Sequence, residues 1–329
     1  MSSAKKLGER KIIKLILENL DQMPNMHLPF GDDASAVDLD DNKLAIINMD
    51  MLVKKTDVPQ GMNIWQVARK AVVMNISDLA AKGANPVALL ASLGVPDELS
   101  KIEIQQIAKG LNAGAREYGA YVLGGDTNQA TDLIISCMAL GECSKHNLLK
   151  RTGAKPGDYV AVTGNFGKTA AGLKILMEKT SVPDKQKTLV DSVLMPYARV
   201  KEGIALAHTG GVTASIDSSD GLAWSLHELS RASNVGFCID NLPVDPEAEK
   251  FAETQGLNSS DLALYGGEEY ELIVTVNPDS WIKAQKAVTT VGGLLTKIGV
   301  VTKEKRCLLK VDKKTVEIKP RGWEHFITE

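Results

Sequence analysis

Short apolar runs of strand length alternate along this chain with longer stretches of helical periodicity, and acidic residues stand where one gives way to the other. That alternation is the strongest limit on the fold, because it selects architectures in which helices cover a sheet, the α/β and α+β classes. Residues 44–47 read as a strand ending at Asp50, and Ile64–Ala81 as a helix ending near Gly83. Residues 87–93 form a strand closed by Gly94 and Pro96, and 102–118 form a helix. A strand at 121–123 ends in Gly124-Gly125-Asp126-Thr127, and another covers 133–140. The polar, turn-rich stretch 151–158 then marks a boundary. Beyond it come a strand at 159–163, a helix from Thr169, strands at 213–216 and 270–276, and last strands around Ile298 and Leu308. A length of 329 residues suits two domains, here divided as 1–150 and 151–329.

Composition removes several classes of function. The formal net charge of −3 lacks the basic excess of a nucleic-acid surface, and at 5% aromatic residues a base-stacking platform is not expected. Cys137, Cys143, Cys238 and Cys307 form no C-x-x-C pair and read as buried thiols in a reducing compartment. The apolar-looking segment 11–17 is interrupted by Lys14 and followed by Glu18 at helical spacing, which makes it an amphipathic helix rather than a signal peptide. No other stretch approaches a membrane span, so a soluble cytoplasmic protein is expected.

The acids carry the chemistry. In Ala214-Ser215-Ile216-Asp217-Ser218-Ser219-Asp220-Gly221-Leu222, two aspartates stand at the opening of an amphipathic helix, where capping accounts for one acid but not for two. Asp32 and Asp33, Asp50, Asp78 and Asp126 occupy similar places, past a strand or before a helix. Each alone reads as a cap or a turn residue; as a set they would repel one another unless cations intervened. An oxygen-only donor set suits Mg²⁺, and no histidine or cysteine spacing competes for a softer metal. His27, His146, His208, His227 and His325 are scattered, which disfavours a zinc hydrolase, and no G-x-S-x-G elbow occurs. Gly167-Lys168-Thr169 looks like the end of a phosphate-binding loop, but Val162 stands where that loop needs its first glycine, so it reads as a decoy.

A longer series of motifs resembles one family. Gly31-Asp32-Asp33-Ala34, Asp50-Met51-Leu52-Val53, the run from Asn75 to Ala84 and Gly124-Gly125-Asp126-Thr127 come first. Arg151 to Asp158, Thr163-Gly164, Asp217 to Leu222 and Gly266 to Leu272 follow in the same order. From about Gly31 to Trp323 the chain resembles the thiamine-monophosphate kinases of the PurM-like superfamily. The resemblance implies an N-terminal α/β domain whose strands pair with a second subunit as a homodimer, a C-terminal α/β domain, and ATP with several Mg²⁺ ions in the cleft between them. It implies Asp32, Asp50, Asp78, Asp126, Asp217 and Asp220 as Mg²⁺ ligands, with Asp33 the alternative to Asp32. Gly125, Asp126, Arg151 and Ser219 would face ATP, and Glu268 and Trp323 would face thiamine monophosphate.

Two positions depart from the family pattern. Asn48-Met49 replaces two small hydroxyl residues, and Asp57 replaces a histidine. Asp57 either adds Coulomb attraction for the thiazolium cation of the substrate or belongs to a solvated turn beside Lys54 and Lys55. The implied reaction passes the ATP γ-phosphoryl group to a phosphate that is already an anion, so no side-chain base is expected and catalysis would be mainly positioning and electrostatics. Other readings are an aminoimidazole ribonucleotide synthetase, a selenophosphate synthetase, a hydrogenase-maturation scaffold of the same superfamily, and a P-loop switch protein. The second would want a cysteine near the N-terminus and the third a C-terminal cysteine, whereas the first cysteine here is Cys137 and the chain ends His325-Phe326-Ile327-Thr328-Glu329.

Overall fold

The structure is a computed structural model that describes residues 4–177, 186–311 and 314–325. Two sheets divide the chain. The first contains β1 (Ser35–Asp38), β2 (Lys43–Val53), β3 (Asn85–Val95), β4 (Tyr121–Gln129) and β5 (Ile134–Ser144), in the order β1-β2-β5-β3-β4. Only β3 and β4 run parallel, and the helix Lys101–Glu117 makes the crossover such a pair requires. That helix and the preceding Ile64–Ala81 each start on a reciprocal capping box, Ser100 with Glu103 and Asn63 with Gln66.

The second sheet contains β6 (Tyr159–Val162), β7 (Val212–Asp217), β8 (Gly236–Ile239), β9 (Leu272–Val276), β10 (Thr296–Thr302), β11 (Cys307–Val311) and β12 (Lys314–Glu317). Their order is β12-β11-β8-β10-β6-β9-β7, antiparallel except between β8 and β11. The fold is therefore a two-sheet, mainly antiparallel α/β arrangement. Among the described residues no helix is long and apolar enough to cross a membrane.

Three expected boundaries shift. β2 does not end at Asp50, because its backbone pairs with β5 from Lys43 to Val53 and carries Asp50 inside the ladder. β4 likewise continues through Gly124-Gly125-Asp126, paired with β3 as far as Gln129. Gly125 tolerates this only as glycine, since a Cβ there would lie 1.7 Å from the Ala91 carbonyl oxygen. Asp78 does not open a helix; it lies in the last turns of Ile64–Ala81. In each case pairing or helix continuity overrides the local turn signal.

The helix Ile64–Ala81 is the spine of the molecule. It is buried along almost all of its length, packing on the first sheet, on the helix Lys101–Glu117, on the helix Val200–Ala207 and on β7. Such a helix is a core helix, so its buried polar residues must find partners inside, Arg69 at Glu117 and the Pro196 carbonyl, and Lys70, Asn75, Ser77 and Asp78 elsewhere. The partners of Asn75, Ser77 and Asp78 lie where its C-terminal end meets β2 and β7.

Candidate active site

Three carboxylates converge at that junction. Asp33, from the loop before β1, Asp78, from the spine helix, and Asp217, at the end of β7, each offer an oxygen within 4.8 Å of the other two. Ser77 donates to Asp217 at 2.6 Å, and the Asn48 amide donates to Asp78 at 2.7 Å. Asn75 accepts the Asp50 backbone N–H at 3.0 Å and so ties β2 to the helix beside the cluster. Burial and the neighbouring Asp33 charge push Asp217 up to about 7 and Asp50 up to about 6. Asp78 is held well above the ordinary carboxylate range by burial and then by Asp50, Asp217 and Asp33.

Asp33 behaves differently because two cations face it. Lys82, fully buried, lies 2.6 Å from one oxygen, and the Arg151 guanidinium binds the other. Burial raises the Asp33 pKa, but the two cations outweigh it and leave the group below its usual value. Asp32 does not join the three converging acids. Its oxygens accept from Lys82 and from the Arg151 and Asp33 backbone N–H groups at 3.0 and 2.9 Å. It therefore organises the loop that presents Asp33.

The other expected ligands lie further out. Asp220 follows Asp217 in the same loop, partly exposed, 3.9 Å from Arg10. Burial and Glu9 push it up to about 6. Asp126 is exposed on the edge strand β4, in register with Ser92, Ser136 and Met51 on the outer face of the first sheet. Asp50 projects from the opposite face three strands away, a spacing of about 14 Å. Within one chain Asp126 is thus apart from the acid cluster. Met49 also points outward, 64% exposed, while Asn48 turns in to hold Asp78.

The residues expected to face substrate gather around the same loop. The carbonyls of Ser219 and Asp220 accept the backbone N–H of Glu268 at 2.6 Å and of Trp323 at 3.1 Å. Glu268 sits at φ 63°, a conformation uncommon outside glycine and frequent at functional sites. Its carboxylate meets Lys70 at 2.5 Å, and Lys70 also donates to the Asp57 carbonyl at 2.9 Å. Asp57 is not a solvated turn residue: its side chain is 10% exposed and accepts from the Val53 N–H at 2.7 Å. Ser219 is exposed beside them.

Lys70 and Lys82 take roles that the sequence reading did not assign, and Asn48, noted there only as a departure from the family pattern, holds Asp78. A signal for the lysines was present, cations within a mostly apolar segment that also carries Asp78.

The Gly-Lys-Thr segment is closed to phosphate. Glu269 accepts the N–H groups of Gly167 at 2.6 Å and Thr169 at 3.2 Å, so the start of the helix Lys168–Met177 already holds an anion. Lys168 pairs with Asp245 at 3.2 Å. Thr163 and Arg199 bind Glu271 in a separate buried network, and the nearby Gly164 has no room for a Cβ beside that carboxylate.

Comparison with known proteins places this arrangement. "AIR synthase related protein, N-terminal domain" matches residues 31–143, and its C-terminal counterpart matches 155–312. The thiamine-monophosphate kinase of Pyrococcus horikoshii is 36% identical over 323 residues, covering 98% of this chain and 97% of its own. That of Bacillus subtilis is 31% identical over 305 residues, covering 90% and 92%. The solved structure "AaThiL complexed with AMPPCP and TMP" superposes with a TM-score of 0.87 at 29% identity, covering 99% of each chain. The chain belongs to the AIR synthase-related proteins and, among them, to the thiamine-monophosphate kinase family.

Proposed function

We propose that this protein transfers the γ-phosphoryl group of ATP to thiamine monophosphate, giving thiamine diphosphate. The observation that carries the reading is the convergence of Asp33, Asp78 and Asp217 beside a second group, Asp57, Lys70, Glu268 and Trp323, joined by the Ser219-Asp220 backbone. The first group suits a metal–polyphosphate end. The second offers an indole and carboxylates to a cationic ring.

The acid cluster fits Mg²⁺. Every donor is an oxygen, and the Ser218 hydroxyl, next to Asp217, is buried without a hydrogen-bond partner. Asp33, Asp78 and Asp217 would hold the first ion, Asp50 stands beside them, and Asp220, further out in the same loop, is assigned to a further ion. Bound there, magnesium would neutralise charge on the phosphates. The protein supplies the rest by positioning. Lys82 and Asp32 fix the Asp33 loop, Asn48 orients Asp78, and Ser77 orients Asp217. Arg151, now held by Asp33, is the nearest guanidinium to the cluster and is assigned to ATP with Ser219. The acceptor phosphate needs no base, in keeping with a cluster that holds no histidine.

Residues 1–150 and 151–329 are assigned as two domains, a division supported by the break between β5 and β6. The enzyme is further read as a homodimer formed through the outer face of the first sheet. Met49, Met51, Leu90, Tyr121 and Leu123 are all exposed there. Gly125 and Asp126 lie in the same edge strand, so their part in nucleotide binding would be exercised at the subunit boundary. A cytoplasmic setting is supported by the four cysteines, all buried and free.

The test is direct. Purified protein with ATP, MgCl₂ and thiamine monophosphate should yield thiamine diphosphate by liquid chromatography and mass spectrometry. ATP consumption without that product would overturn the reading.

A further inference from the structure

We propose that His325 is a substrate-binding residue and that Asp57 positions it, so that His325 and Trp323 form a two-walled notch for the flat cationic ring of thiamine monophosphate; this rests on the function proposed above. The Trp323 and His325 rings meet edge to face, with centroids 5.9 Å apart and planes at 82°. Two rings set this way enclose a corner with an aromatic face on either side. Both stay open to a ligand, since Trp323 is 49% exposed and the His325 side chain 39%. An indole face attracts a cation that docks against it.

The corner is held from three sides. The Trp323 N–H donates to the Asp220 carbonyl at 3.1 Å, which ties the tail to the acid-bearing loop. The His325 N–H donates to Glu9 at 3.0 Å, which ties it to the N-terminal helix Glu9–Leu17. Arg10, next in that helix, lies 3.9 Å from both Glu324 and Asp220 and packs over Trp224. The third hold is Asp57. One of its oxygens is taken by the Val53 N–H, and the other faces His325 Nε2 at 3.9 Å. Being nearly buried, Asp57 acts on the ligand through the imidazole, while Glu268, 36% exposed and paired with Lys70, lines the same cleft directly.

Steady-state kinetics with each substrate varied tests this. His325→Ala should raise KM for thiamine monophosphate by about three- to thirty-fold, the range a cation–aromatic contact supplies, and leave KM for ATP within about twofold. His325→Phe, which keeps an aromatic wall, should recover most of the loss. Asp57→Asn should move the same KM in the same direction, and the double variant Asp57→Asn/His325→Ala should be no worse than His325→Ala alone. Matching melting temperatures would show that the variants fold. An unmoved KM for thiamine monophosphate in His325→Ala, an equal rise for both substrates, or a Phe variant as poor as the Ala variant would each overturn the assignment. A wild-type enzyme that forms thiamine diphosphate separates that failure from failure of the function; one that forms none sinks both.

Discussion

Asp217 concentrates the tension of the site. It is buried, it faces Asp33 and Asp78, and its Ser77 hydrogen bond only partly offsets the cost of its charge. Asp217→Asn keeps the shape and removes one negative charge. The metal-free variant should therefore melt above the metal-free wild type, while turnover falls by orders of magnitude if Asp217 is the Mg²⁺ ligand proposed above. Calorimetry with and without Mg²⁺ should show a larger metal-induced shift for wild type. Near-normal turnover at saturating Mg²⁺ would remove Asp217 from the ligand set. Glu269 offers a second residue-level test, away from the acid cluster. Burial pushes it up to about 7, above its unfolded value of 4.5, although two backbone N–H groups bind it. A carboxylate whose folded pKa is raised binds more protons folded than unfolded between those values, so stability falls as pH rises from about 4.5 through 7. Glu269→Gln should match wild type near pH 4.5, melt higher at pH 8 and show a flatter profile between. Parallel melting curves across that window would refute the buried-charge account.

Elements are tested where they touch. The helix Val200–Ala207 crosses the spine helix at Gly203, where a Cβ would lie 2.1 Å from the Ala80 carbonyl oxygen. Gly203→Ala must push the helices apart and should cost about 1–3 kcal/mol, read as a lower urea midpoint at constant slope. The spine carries Asp78, so activity should suffer beyond the fraction unfolded. The start of the helix Lys168–Met177 predicts the opposite. Its N–H groups are occupied by Glu269 and its lysine by Asp245, so Lys168→Ala should change kcat/KM by less than about tenfold, under ~1.4 kcal/mol. A phosphate-clamping lysine would be far more damaging to lose, and collapse of activity in this variant would restore the P-loop reading.

At the scale of the molecule, one sheet surface remains to be explained. The outer face of the first sheet presents Met49, Met51, Leu90, Tyr121 and Leu123, and β4 is an edge strand exposed along almost its whole length. Contiguous apolar surface of this kind marks an interface, and unpaired edges are a liability that association removes. Light scattering at micromolar protein should give the mass of a dimer, and Leu123→Lys should shift the population toward monomer. A monomeric wild type would leave both the apolar face and the exposed Asp126 without the role assigned to them.

Much was legible in the chain because periodicity is local. The long helices Ile64–Ala81 and Lys101–Glu117 and most strands follow from apolar spacing and caps, and the ordered motifs from Gly31 to Trp323 carry the family. The strands β1, β8 and β12 escaped, being only four residues each, and β8 is held only by strands distant in sequence. Sequence also indicated that acids gather, but not which acids meet. That choice is three-dimensional. Asp33 rather than Asp32 enters the cluster because two backbone N–H groups hold Asp32 within its loop, while Lys82 spans both. Asp126 lies apart because strand alternation turns it to the outer face. Asn48, Lys70 and His325 acquire their partners only through contacts spanning 30, 198 and 268 positions, which no local pattern can encode. Residue type and periodicity therefore determined the kind of chemistry and the elements that carry it. The packing of the spine helix against both sheets decided which side chains perform it, since proximity between distant residues exists only once the core has closed.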